Sequence, residues 1–366
     1  MLLFILPFIT FVRNVVEVRS TSILFPSFNI KASKYENHAI YRNRLRAVFG
    51  GKPVGYVGAG FREKIQGLYG LQFPSRHAVA VGRESHDYLY NTAVQNLALL
   101  EKYPHYVFNF EGAVKYEWIK EYYPHLFERI RKFVADGRWN ISGASFEAND
   151  PNMPSSESFI RNILLAQEFY KKEFGIKSKD MFLPDCFGFS QVMPTLGHHC
   201  GLIGFSTQKL SWRTEPLVGD SKTPFPIGLW EGVDGARIMV ALEPGRYSWN
   251  EFPEGDLSAN KELVESARKS PFGIAYRYYG NKLANGAGDH GGSALPRSIQ
   301  LLEEGITNGK GPVQLVSATS SQLYEDYMPY GNHPELPVFV GEMPLDVHAP
   351  GCYTSQAEMK RYNRRN

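Results

Sequence analysis

Apolar and polar positions change rhythm along the chain, and each rhythm predicts an element. Short apolar runs at 78–81, 107–110, 139–141, 181–183, 202–205, 238–242, 274–278 and 313–316 predict buried strands. Between them, apolar residues recur every three or four positions, the spacing of one helix face. A helix is expected over 92–102, with Asn91 as its N-cap. Another is expected over 124–135, with Phe127, Ile130 and Val134 on one side and Gly137 as the stop. The clearest spans 158–174, preceded by Pro154 and Ser155 and ended by Gly175, with Phe159, Ile163, Leu164 and Phe169 as its stripe. Further helical spacing covers 261–269, 293–304 and 320–327. Strands that alternate with helices predict parallel β/α units, either closed as a barrel or doubly wound.

The first 76 residues lack this rhythm. Residues 1–12 read MLLFILPFITFV, too short to span a bilayer but suited to the apolar core of a secretory signal. Neither a basic n-region nor an A-x-A cleavage site accompanies it, so two placements stand: an exported protein, or a cytoplasmic one. Residues 21–76 form an extension rich in basic, aromatic and glycine residues. Within it, Gly55-Tyr-Val-Gly58-Ala-Gly60 lacks the G-x-G-x-x-G order of a dinucleotide loop and reads as a plain loop.

Composition narrows the function. The 366 residues carry 40 basic and 37 acidic side chains, a net charge of +3, which argues against nucleic acid as a partner. Three cysteines exclude a disulfide framework and a Cys-only zinc site. Phe, Tyr and Trp make up 14% of the chain, which suits a large core and also a site that packs against sugar faces.

Three carboxylates stand just after predicted strands, where parallel β/α folds place their chemistry. Asp185 lies in Leu183-Pro-Asp185-Cys-Phe-Gly188, and serves as a nucleophile, base or metal ligand, or as a helix cap. Asp289 sits among Gly286, Gly288, Gly291 and Gly292, in a loop that can approach a ligand closely or simply turn. Asp87, with His86 beside it, follows the run at 78–81 and offers metal-binding side chains. The adjacent His198 and His199 read as a solvated helix end.

From residue 77 onward the chain resembles glycoside hydrolase family 38, the α-mannosidases. The likeness rests on several stretches in order: Glu101-Lys-Tyr-Pro, Tyr116-Glu-Trp118-Ile-Lys-Glu-Tyr-Tyr-Pro, Gly137-Arg-Trp139, Pro154-Ser-Ser-Glu157-Ser, Leu183-Pro-Asp185-Cys-Phe-Gly188, Thr207-Gln-Lys209-Leu-Ser-Trp212, Gly288-Asp289 with Gly291-Gly292, and Tyr353-Thr-Ser355-Gln-Ala. It implies a (β/α)7-type barrel of parallel strands over 77–345, with 346–366 opening a helical region. It implies retaining hydrolysis of α-mannosides, with Asp185 as nucleophile and Asp289 as general acid/base. Trp212 and Trp230 would pack on sugar rings or in the core. Zn²⁺ is implied as well, held by Asp87, Asp185 and His86. The family's metal motif is H-x-H-x-D-x-x-W, and here Arg83 and Ser85 stand at its two histidines. A glycan-binding barrel without catalysis is the alternative. A zinc deacetylase of polysaccharides wants two His one helical turn apart, which His198-His199 are not.

Overall fold

The computed structural model describes residues 54–59, 78–184, 186–207, 210, 223–242, 252–269, 271–279, 292–344, 358 and 361. Residues 1–53, which include the signal-like run, lie outside the described part. Among the described residues no helix is long and apolar enough to cross a membrane.

The chain is an α/β protein. Its elements in order are β1 (Val54–Ala59), α1 (Ala78–Lys102), β2 (Phe108–Glu111), α2 (Ala113–Tyr122), α3 (Pro124–Ala135), β3 (Trp139–Ser142), α4 (Ser156–Phe174), β4 (Asp180–Phe182), α5 (Val192–His199), β5 (Gly204–Ser206), β6 (Ile227–Glu231), β7 (Arg237–Ala241), α6 (Lys261–Lys269), β8 (Ile274–Tyr279), α7 (Pro296–Asn308), β9 (Gln314–Val316), α8 (Ser320–Tyr327) and β10 (Val338–Val340). The described strands form three sheets, ordered β8-β1-β9, β2-β3 and β10-β6-β7-β5-β4. β2 and β3 are parallel, as are β4 with β5 and β5 with β7. The gap between the last two sheets is bridged where Ala144 N–H donates to Asp180 O at 2.8 Å. β2, β3, β4 and β5 thus follow one another laterally in chain order, with helices in the connections, as β/α winding requires, and β7 lies next beyond β5.

The described strands do not show the single ring of parallel strands expected from the sequence: the sheets are small and one is mixed. β6 runs antiparallel to β7. The reason is local: the two are joined by a tight turn in which Gly232 N–H donates to Ala236 O at 2.8 Å, and so short a connection permits only antiparallel pairing. Gly235 takes φ 80° in that turn.

Two expectations for the early chain are also revised. Residues 78–81 are not a strand but the first turn of α1. The apolar face of that helix further on, Leu89, Ala93, Leu97 and Leu100, follows helical spacing, and all four are buried. The stretch read as a loop at 55–60 supplies β1, which pairs in parallel with β8 through all six of its residues and with β9 through three.

Helix ends follow their caps. In α4, the Ser155 hydroxyl accepts from Ser158 N–H, and Gly175 closes the helix in the left-handed region at φ 73°. Its buried stripe is Phe159, Ile163, Ala166 and Tyr170, whereas Leu164 is 58% exposed. The core under β2 and β3 is aromatic. Trp139 meets Phe108 edge-on at 4.7 Å and Phe110 at 5.7 Å, and its Nε1 donates to the Tyr116 hydroxyl.

Candidate active site

The site is built where β2, β3 and β4 meet. β2 ends at Glu111, and Gly112 turns the chain into α2 at φ 87°. The first N–H groups of α2, which a helix leaves without internal partners, donate to the loop after β3. Ala113 N–H reaches Ser145 O at 3.1 Å and Val114 N–H reaches Phe146 O at 3.0 Å. Gly143 opens that loop at φ 67°, and a Cβ there would lie 2.9 Å from the Cβ of Glu111. Only glycine lets the two strand ends close to this distance.

A buried polar cluster fills the junction. Lys115 is 0% exposed and Glu111 2% exposed, and they form an ion pair one helical turn apart. Half-buried Glu147 lies on the loop after β3 and accepts from Ala148 N–H at 2.9 Å. Burial pushes its carboxyl up; Lys115 pulls it back, and Glu111 pushes it further up. Asp180 begins β4, but the stagger of the strands sets it beside the end of β3. It accepts from Gly143 N–H at 3.2 Å and from the Ser178 hydroxyl at 3.2 Å. Burial raises its carboxyl to about 6, against the hydrogen bonds from Ser320, Gly143 and Ser178 that lower it. The junction therefore holds two carboxyls, Glu147 and Asp180, that keep their protons to higher pH than usual. None of Glu111, Lys115, Glu147 or Asp180 was singled out from the sequence. Glu111 shows the signal that picked out Asp185, an acid directly after an apolar run.

From β4 the chain continues through Leu183 and Pro184, both buried, toward Asp185, which itself lies outside the described residues. Leu183 N–H donates to Ser206 O at 3.1 Å. Beyond Asp185, the Cys186 thiol donates to Asn149 O at 2.9 Å, and the Asn152 amide donates to Gly188 O at 2.9 Å and Phe187 O at 3.3 Å. Phe189 and Met343 then exchange two backbone hydrogen bonds of 2.9 Å.

Asp289 and Trp212 also lie outside the described residues. The exit from the Asp289 loop is described, however, and it docks on α1. Gly292 N–H donates to the Thr92 hydroxyl at 2.9 Å, and Gly292 O accepts from the Asn96 amide at 3.0 Å. The Asn96 oxygen accepts in turn from the Tyr106 hydroxyl at 2.8 Å. Trp230 has no surface to offer a sugar. It is 0% exposed, lies against Phe205 at 5.7 Å, and donates its Nε1 proton to Gly341 O at 2.8 Å. Its core role is the one the fold uses.

His86 and Asp87 are consecutive residues of α1, with Asp87 exposed. Among the described residues no three His, Cys, Asp or Glu side chains converge as a metal would require. His198 and His199 end α5, and His199 meets Asp234 at 2.7 Å on the surface. The Thr195 hydroxyl, and after it His199, hold the Asp234 carboxyl well below the usual range.

Residues 78–342 match the family model described as the glycosyl hydrolases family 38 N-terminal domain. The chain belongs to glycosyl hydrolase family 38. It is similar to alpha-mannosidase G of Dictyostelium discoideum, 35% identical over 265 residues, which are 72% of this chain and 23% of that protein. It is similar as well to human alpha-mannosidase 2C1, 33% identical over 273 residues, 74% of this chain and 24% of the relative. The chain thus spans about a quarter of the length of the curated relatives it matches. Among solved structures, an alpha-mannosidase from Enterococcus faecalis V583 superposes with a TM-score of 0.60 at 19% identity, over 80% of this chain and 31% of that one. That likeness establishes a shared fold. The family 38 match spans both Asp185 and Asp289.

Proposed function

We propose that the chain carries the catalytic portion of an α-mannosidase, a retaining glycoside hydrolase acting on α-linked mannose in glycans. The observation that carries this reading is the 31–35% identity to four alpha-mannosidases over 72–75% of the chain, together with the family match over 78–342, which contains both carboxylates. The Asp185 carboxylate attacks the anomeric carbon, while Asp289 gives its proton to the departing glycosidic oxygen as the C–O bond breaks. Asp289 then takes a proton from water, which attacks the same carbon and frees Asp185. Retention requires the two carboxyls about 5–5.5 Å apart. The lateral order β2-β3-β4-β5-β7 supports a (β/α)7-type barrel as the closed form of this winding.

Hydrolysis of 4-nitrophenyl α-D-mannopyranoside tests the reading. Wild type should release nitrophenol, and Asp185→Asn should lose about a thousandfold or more in kcat. Proton NMR should find the α-anomer formed first. Equal rates for wild type and Asp185→Asn would overturn the assignment, and retained mannoside affinity with no turnover in either would favour a glycan-binding module. No step here runs through a metal. Zinc held by His86, Asp87 and Asp185 requires about one equivalent retained after dialysis and lost in Asp185→Ala.

A further inference from the structure

We infer that Asn152 is a positioning residue for the nucleophile loop, acting through the carbonyls of Phe187 and Gly188. The inference rests on Asp185 as the nucleophile of the proposed reaction. The leverage of Asn152 comes from where its amide is held.

The segment 149–153 is a built strap. The Asp150 carboxylate accepts from Asn152 N–H at 2.8 Å and from Met153 N–H at 2.9 Å, a local turn that fixes the Asn152 backbone. The strap is anchored on α4: the Asn162 side chain accepts from Phe146 N–H and Glu147 N–H at 2.8 and 3.1 Å and donates to Glu147 O at 2.8 Å. From this footing the Asn152 amide donates to two successive carbonyls, Phe187 O at 3.3 Å and Gly188 O at 2.9 Å. Those carbonyls flank the bend at Gly188, whose φ of 95° only glycine adopts without strain. The Cys186 thiol adds a third tie, to Asn149 O.

At the two ends of the segment, backbone bonds join Leu183 N–H to Ser206 O and pair Phe189 with Met343. The ties from the strap fall between these ends, on the residues that immediately follow Asp185. Asn152 is exposed, so its removal opens no core cavity. The loss should appear in the geometry of the loop rather than in global stability. A displacement of about 1 Å at a reacting group can cost about a hundredfold in rate.

The test compares wild type, Asn152→Ala, Asn152→Asp and Asn152→Gln in the full chain. Asp keeps the shape but removes both donor protons and sets a carboxylate against two carbonyls. Gln keeps the amide on a longer stem. For Ala and Asp, kcat on 4-nitrophenyl α-D-mannopyranoside should fall about 10- to 100-fold, with KM within about twofold of wild type. Gln should recover part of kcat. Hydrogen exchange at the amides of Phe187–Phe189 should quicken in Ala and Asp, with Tm nearly unchanged. An active wild type with unaltered kcat in Ala and Asp overturns this inference alone. A fall in kcat that tracks a matching fall in Tm, with unchanged exchange in the loop, also overturns it. A wild type without mannosidase activity overturns the hydrolase reading, and this one with it.

Discussion

Asp180 is 1% exposed, and its carboxyl titrates near 6 in the folded chain against an ordinary 3.8. Between those values the folded state keeps a proton that the unfolded state has lost. The stability that Asp180 contributes is therefore present at pH below about 4 and disappears as pH rises through about 6. The two-unit gap corresponds to about 3 kcal/mol. Asp180→Asn, which has no such proton to lose, should gain about 2 kcal/mol on wild type between pH 4.5 and pH 7.5, because part of the loss has already occurred at pH 4.5, as read from urea midpoints at each pH. Trp230 makes a second prediction at this scale. Trp230→Ala should cost about 3–5 kcal/mol of stability. Trp230→Phe should lower Tm while leaving the KM for an α-mannoside unchanged; a large rise in KM would return that ring to the sugar.

At the scale of elements, helices were more legible than strands. Helix α3 spans Pro124–Ala135, as the period of its apolar positions and the stop at Gly137 require. For α4 the caps were readable, and Ser155→Ala should cost about 1 kcal/mol through the loss of its bond to Ser158 N–H, measurable by thermal unfolding. The apolar run at 78–81 begins a helix rather than a strand, because four apolar residues cannot separate a buried strand from the start of a long helix. The strand at 54–59 was hidden because its glycines weaken any propensity; pairing on both sides, with β8 and β9, supplies what local sequence does not. One long-range tie also belongs to this scale. Asn96 is 0% exposed and joins α1 to the exit of the Asp289 loop through Gly292 O, while it accepts from the Tyr106 hydroxyl. Asn96→Ala removes these bonds together with one to Thr92 O and should cost roughly 1–3 kcal/mol in chemical unfolding.

At the scale of the whole molecule, the sequence by itself determined the α/β class, the caps of α4 and, through its motifs, membership of family 38; Asn91, expected as an N-cap, instead lies inside α1. Local periodicity and short contiguous motifs carry that information, because each depends on residues within a turn or two of one another. Tertiary structure alone decided the rest. It set β6 against β7 rather than in a parallel ring, because a five-residue turn joins them. It sent Trp230 into the core, because the sheet and Phe205 cover its ring. It gathered Glu111, Lys115, Glu147 and Asp180 into one buried floor, since strand stagger brings residue 180 beside residue 143. It also laid the 149–152 strap across the segment after Asp185, a contact between residues some 36 positions apart. Charge and hydrogen bonding across such distances are properties of the packed chain, and no pattern along the sequence encodes them directly.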